Sequence, residues 1–144
     1  MRRLDVAIPT TWRPIDPPRT DYDVGGVRVI LSAVQGMPED PGEWIRGELR
    51  RRAQGHAIAD TAIVQRAAAS GWPIIACEAQ AGDRVVIATM FLFLEYAATV
   101  IIEGASAAVA RERAAIVEVL DRATIDWGLP PPTLALLLDG ATRT

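Results

Sequence analysis

Residues 84–103 carry the sequence RVVIATMFLFLEYAATVIIE, which contains the longest apolar stretch of the chain. Its length and apolar character could suit a membrane helix, but Glu95 interrupts it and Val, Ile, Thr and aromatic residues dominate. The composition predicts two strands, residues 84–94 and 98–103, joined by a turn. Both parities of the first strand are apolar, so both faces of the sheet need cover.

Turn and capping residues on either side of this hairpin define the neighbouring elements. Gly25 and Gly26 precede a strand, and Asp40 followed by Pro41 predicts the start of a helix that ends near Gly55. Glu43 completes the spacing of a capping box. The remaining predicted elements are strands at residues 4–8, 27–34, 61–69 and 72–79 and a second helix at 105–127.

The resulting order is strand, strand, helix, four strands, helix (ββαββββα). This order predicts an α+β fold, an antiparallel sheet of about six strands with both helices packed on one face. Residues 1–128 are predicted to form a single domain. Residues 129–144 are predicted to form a Pro/Leu-rich C-terminal tail.

Composition excludes several classes of function. The chain has 144 residues and a formal net charge of -3, which argues against a general nucleic-acid binder. All fifteen cations are arginine, so a lysine nucleophile is impossible. One cysteine and one histidine exclude a disulfide within the chain and a Cys/His zinc site. The lone cysteine and the lack of a signal-peptide pattern lead us to expect a cytoplasmic protein.

Few side chains are suited to catalysis. His56 follows the predicted end of the first helix, where a solvated loop residue is expected, and Cys77 is expected to be a buried strand residue. Glu78, Glu95 and Glu103 lie in or beside strands, and the spacing does not bring two of them together. The sequence therefore predicts no catalytic residue, no metal and no cofactor. An enzyme with a polar cleft built from Glu78, Glu103 and arginines remains the alternative.

A register built from short turns assigns one almost purely apolar sheet face to the helices. The other face is mixed and has no helix left to cover it, which favours a binding surface. Its occupant could be a second copy of the chain, a small apolar ligand or a hydrophobic segment of another protein. We expect aspartate at Ile87 and Phe91 to abolish binding in a folded protein. The candidate client-binding residues are Ile63, Gln65, Ile74, Ala76, Ile87, Thr89, Phe91, Phe93, Thr99 and Ile101.

The opening sequence LDVAIPTTW, residues 4–12, resembles the strand–Pro–x–x–Trp start of the DcrB-like proteins within the PsbP/Mog-like fold. Residues 40–49 resemble their first helix. Residues 85–103 resemble their long final hairpin, and residues 105–127 lie where their closing helix does. The resemblance covers about residues 4 to 127, mainly by the order of elements.

Members of this family without a signal peptide include the Eag-type chaperones of type VI secretion effectors. Those chaperones are dimers that shield hydrophobic, membrane-destined effector segments before export. The resemblance implies a non-enzymatic, cytoplasmic homodimer that binds a hydrophobic helical segment. Net charge and composition add the expectation that it neither binds nucleic acid nor spans a membrane itself. The alternative is a dimeric binding module for a small apolar ligand or another protein partner.

Overall fold

The computed structural model of this chain describes residues 3–15, 20–53 and 62–126. Within these residues, ten strands and two helices form. The strands are β1 (Arg3–Asp5), β2 (Arg13–Pro14), β3 (Asp21–Val24), β4 (Val27–Leu31), β5 (Gln35–Gly36), β6 (Val64–Ala67), β7 (Pro73–Ala81), β8 (Arg84–Phe93), β9 (Tyr96–Ala105) and β10 (Thr124–Asp126). The helices are α1 (Pro41–Arg52) and α2 (Ser106–Leu120).

The main sheet is antiparallel and runs β2-β3-β4-β9-β8-β7-β6, with β5 paired to the start of β9. The predicted α+β class with an antiparallel sheet and two helices is confirmed. The sheet has eight strands in the described residues rather than about six. Three short strands, β2, β3 and β5, join it, whereas β1, which the prediction included, pairs with β10 in a separate two-stranded sheet. Pro14 in β2 sits at the sheet's edge, where proline is tolerated.

Helix α1 begins as its sequence predicts. The Asp40 carboxylate accepts a hydrogen bond from the Glu43 backbone N–H at 3.1 Å, and Pro41 occupies the first turn. Ile45 and Leu49 are fully buried against strands β7 and β8. The helix ends at Arg52, and the predicted stop at Gly55 lies outside the described residues.

Helix α2 is shorter than the predicted span of 105–127. It ends at Leu120, and residues 124–126 instead form β10, which pairs with β1. The paired Leu4 and Ile125 are both buried. The prediction was wrong there because burying these two residues in a strand pair outweighs the helical periodicity, which extends into residues 121–126.

The two helices lie on opposite faces of the sheet, which corrects the prediction of a single helical face. One core cluster joins α2, through Val109 and Ile116, to Phe91 of β8. The other joins α1, through Ile45 and Leu49, to alternate residues of β8 and β9. Both parities of β8 are apolar, so each face requires its own helix to exclude water.

Neither α1 nor α2 is long and apolar enough to cross a membrane, and no other helix is present in residues 3–15, 20–53 and 62–126. The tail predicted for residues 129–144 lies outside the described residues. The division into a domain and a tail therefore stays a prediction.

Candidate functional site

The structure divides the predicted client-binding residues between the two sheet faces. The α2 face holds Ile74, Ala76, Ile87, Thr89, Phe91 and Phe93. The α1 face holds Ile63, Gln65, Thr99 and Ile101.

Register explains this division. A two-residue turn at Leu94 and Glu95 pairs Phe93 with Tyr96, and Val64 pairs with Ala76. Both pairings are one residue away from the predicted register, and a one-residue slip moves every side chain of a strand to the other face. The prediction of one shared surface was therefore wrong for four of the ten residues.

The face predicted to lie open is covered in part by α2. Phe91 and Phe93 are 0% exposed, and their rings stack with centroids 5.9 Å apart. Ile87 is also buried. The expectation that Ile87 and Phe91 tolerate aspartate is corrected by this burial, because an unpaired carboxylate in that core would unfold the protein.

An opening remains on the same face, between α2 and the β6–β7 end of the sheet. It consists of an inner cavity of about 230 Å³ and an outer cavity of about 390 Å³, which share four lining residues. We call this opening the α2 cleft. The inner cavity is lined by Arg66, Ala76, Ile87, Thr89, Phe91, Ile102, Arg113, Val117 and Leu120. The outer cavity is lined by Ala62, Val64, Arg66, Ala76, Cys77, Glu78, Ile87 and Arg113.

The floor of the inner cavity is mostly apolar. Ile87, Phe91 and Ile102 come from the sheet, while Val117 and Leu120 come from α2. Sequence reasoning identified the sheet residues Ala76, Ile87, Thr89 and Phe91. It missed the contribution of α2, because it placed that helix on the other face.

Two ion pairs join the sheet to the α2 side of the cleft. In the first the arginine belongs to α2, and in the second the arginine belongs to the sheet. Arg113 of α2 donates two hydrogen bonds, of 3.0 and 2.8 Å, to the carboxylate of Glu78 on β7. Arg66 of β6 lies 2.7 Å from a carboxylate oxygen of Asp121, just after α2. The four charges cancel, so the cleft selects neither anions nor cations by net charge.

The Glu78–Arg113 ion pair shifts the pKa values of both residues. Hydrogen bonds from Arg113 lower the pKa of Glu78 below its ordinary value of 4.5, against a smaller opposing effect of burial. The same bonds raise the pKa of Arg113. Both groups are therefore charged at neutral pH, and the pair holds the middle of α2 to β7.

Strand β6 forms the outer wall of the cleft and is exposed at all four residues. Val64 is 59% exposed and lies at the mouth of the outer cavity. In the part of the chain that the structure describes, no strand pairs with the outer edge of β6. A strand edge that has no partner strand and carries an exposed apolar side chain beside an apolar cleft is accessible to another chain.

The residues considered for catalysis do not meet. Glu78 lies on the α2 face, whereas Glu103 lies on the α1 face, 3.7 Å from the Arg52 guanidinium. Cys77 is buried at 3% exposure, as predicted, and His56 lies outside the described residues. Within residues 3–15, 20–53 and 62–126, no group of three or more His, Cys, Asp or Glu residues is placed to hold a metal.

No family model matches this chain, and no curated protein matches it. Several solved structures are similar in fold, and one of them is the cyanobacterial PsbP (CyanoP) of Synechocystis. It aligns with a TM-score of 0.57 at 11% identity, over 88% of this chain and 92% of its own. The fold is PsbP-like. LpqN of Mycobacterium tuberculosis, described as involved in cell envelope biogenesis, aligns with a TM-score of 0.56 at 13% identity, over 87% of this chain and 84% of its own. The PsbP-like fold that the sequence resemblance implies is confirmed.

Proposed function

We propose that this protein is a non-enzymatic chaperone or adaptor that shields a hydrophobic helical segment of another protein in its α2 cleft. The observation that carries the proposal is the incomplete cover of the α2 face. Ile87 and Ala76 form a floor that continues from the inner cavity into the outer one. The exposed Val64 extends this apolar surface to the edge of the sheet.

The dimensions of the cleft favour side chains of a helix over a bulky rigid ligand. A cavity of about 230 Å³ accepts one or two apolar side chains, and the outer cavity of about 390 Å³ faces the rest of the helix. Burying apolar surface contributes about 25 cal/mol per Å². Thr89 supplies a hydroxyl in the floor, which suits a polar atom carried in by a small-residue helix.

The resemblance of residues 4–127 to the DcrB-like proteins supplies the biological setting of the proposal. On that basis the client is a membrane-destined segment of a type VI secretion effector, and the chaperone acts as a cytoplasmic homodimer. The overall charge of -3 makes nucleic acid a poor partner.

Affinity capture from native extract with two matched variants tests the proposal. Val64→Asp puts a carboxylate at the mouth of the cleft at an exposed position, where the fold tolerates it. Leu94→Asp is the control, because Leu94 is 75% exposed at the hairpin turn and its φ of 59° suits aspartate. Wild type and Leu94→Asp are expected to retain one protein with an apolar segment, and Val64→Asp is expected to retain less than a tenth as much.

Deletion of the apolar segment from the captured protein completes the test. The proposal predicts that this deletion removes capture as completely as Val64→Asp does. Equal recovery by Val64→Asp and wild type, or recovery unaffected by the deletion, would contradict a client site in the α2 cleft.

A second candidate function is favoured by the inner cavity alone. Its floor is largely sheltered beneath α2, which also suits a small apolar ligand in a dimeric binding module. Native mass spectrometry separates the two candidates and reports the subunit number at the same time. A bound mass of a few hundred daltons that denaturation releases supports this candidate, and an unliganded dimer supports the chaperone.

A further inference from the structure

A second cavity lies on the opposite face of the sheet, beside α1. Its volume is about 230 Å³, and it is separate from the α2 cleft because the sheet lies between them. Strands β4, β5 and β9 and the first loop after β4 form one side, and α1 forms the other. The lining residues are Ile30, Ser32, Gln35, Trp44, Glu48, Arg52, Thr99 and Ile101.

Helix α1 presents an aromatic, an acidic and a basic side chain to this cavity. Trp44, Glu48 and Arg52 are spaced by four residues, so they lie on one face and span about 12 Å along the axis. The neighbouring stripe, Ile45 and Leu49, is fully buried in the core. Trp44 keeps 37% of its surface exposed.

The charges around the cavity are balanced and incompletely paired. Arg52 reaches Glu103 with one nitrogen at 3.7 Å, beyond ordinary hydrogen-bond distance. One carboxylate oxygen of Glu48 pairs with Arg51. Two arginines thus offset two glutamates, and a simple anion or cation gains little from the net field. A ligand that carries both charges close together gains from each.

The opposite wall supplies neutral hydrogen-bonding groups above an apolar floor. The Ser32 hydroxyl oxygen accepts a hydrogen bond from the Thr99 backbone N–H at 2.8 Å, which leaves the hydroxyl proton to donate. Gln35 offers both a donor and an acceptor. Ile30 and Ile101 form the apolar part of the lining.

We propose that this cavity binds a free α-amino acid with an apolar side chain. The carboxylate pairs with Arg52, the ammonium pairs with Glu48, and the side chain lies against Ile30, Ile101 and Trp44. The volume corresponds to about eight water molecules at about 30 Å³ each, which suits a single amino acid. The ammonium and carboxylate groups of a free amino acid lie close together. Glu48 and Arg52, which would pair with them, are neighbours on one face of α1. This site is independent of the function proposed for the α2 cleft.

Calorimetric titration with L-phenylalanine and two derivatives tests the assignment. Phenylalaninamide lacks the carboxylate, and N-acetylphenylalanine lacks the ammonium and mimics the last residue of a peptide. The proposal predicts saturable binding of phenylalanine and at least tenfold weaker binding of both derivatives, because each loses a charge-assisted hydrogen bond. Equal binding of the amide would overturn the role of Arg52. Equal binding of the N-acetyl derivative would replace the free amino acid with a peptide C-terminus and overturn the proposal.

Variants of the two charged residues give a second readout. Arg52→Gln and Glu48→Gln are each expected to weaken phenylalanine binding at least tenfold, with circular dichroism unchanged. Arg122→Gln is the matched control, because Arg122 is 74% exposed and lies beyond α2. Absence of binding to wild type at millimolar phenylalanine, or equal affinity of wild type and Arg52→Gln, would overturn the proposal.

Discussion

At the scale of single residues, the α2 cleft depends on a few charged side chains set beside a fully buried aromatic core. Glu78 and Arg113 are about half exposed, so water screens their attraction and the pair contributes at most about 1 kcal/mol. Phe91, one strand away, is completely buried. The cleft therefore combines a rigid floor with a rim whose Glu78–Arg113 ion pair breaks at a small cost in free energy.

The Glu78–Arg113 pair predicts a pH-dependent contribution to stability. Because the folded protein lowers the pKa of Glu78, the contribution is present above 4.5, its ordinary value. It is lost as the pH falls through the lower pKa of the folded state. The melting temperature of wild type is expected to exceed that of Glu78→Gln at pH 7, and the difference should narrow below pH 4.5. Glu118→Gln, at an exposed site on α2, the helix that carries Arg113, is the control. A difference that grows with acidification would contradict the pairing.

Truncation of Phe91 is predicted to cost more unfolding free energy than loss of the Glu78–Arg113 pair. Phe91→Ala removes a ring that stacks on Phe93 and packs against the cluster beneath α2, and we expect a loss of about 3–5 kcal/mol. Leu94→Ala, at a residue that is 75% exposed, is expected to change stability by less than about 0.5 kcal/mol. Urea denaturation measures both free energies. Equal midpoints for the two variants would show that Phe91 is not in the core.

At the scale of elements, the hairpin β8–β9 was predictable because its composition alone marks two strands. The N-terminal cap of α1 was equally predictable from Asp40 and Pro41. The side of the sheet on which each helix packs was not, because both parities of β8 are apolar and offer no preferred face. The predicted register between β8 and β9 was wrong because of the turn that joins them. The turn between β8 and β9 places Leu94 at a positive φ of 59°, where glycine is the usual residue of a two-residue hairpin. A leucine at this position does not indicate so tight a turn.

Close packing of the β3–β4 turn against β9 can be tested at Gly104. A Cβ added there would lie 3.2 Å from the Gly26 carbonyl oxygen and 3.4 Å from the Val27 Cα. Gly104→Ala is therefore expected to cost about 1–3 kcal/mol of unfolding free energy. Gly36→Ala is the control, because a Cβ there meets nothing within 4 Å. Equal denaturation midpoints would show that the β3–β4 turn sits farther from β9.

At the scale of the whole molecule, one sheet carries a helix on each face and an opening beside each helix. The sequence was sufficient for the α+β class, the order of the main elements and the PsbP-like architecture. It was sufficient for four residues of the α2 cleft, since Ala76, Ile87, Thr89 and Phe91 lie on neighbouring paired strands. Arg66 and Arg113 could not be placed there, because long-range packing of α2 alone brings them together.

Shielding of a client requires that an apolar segment of another protein occupies the α2 cleft. Photocrosslinking in native cells, with a photoreactive amino acid at position 64 or position 94, tests this occupancy. Both side chains are exposed, but only residue 64 borders the cleft. We expect crosslinks from position 64 to one apolar segment of another protein, and none to that segment from position 94. Crosslinks to the segment from position 94 alone, or from neither position, would contradict a client site in the α2 cleft.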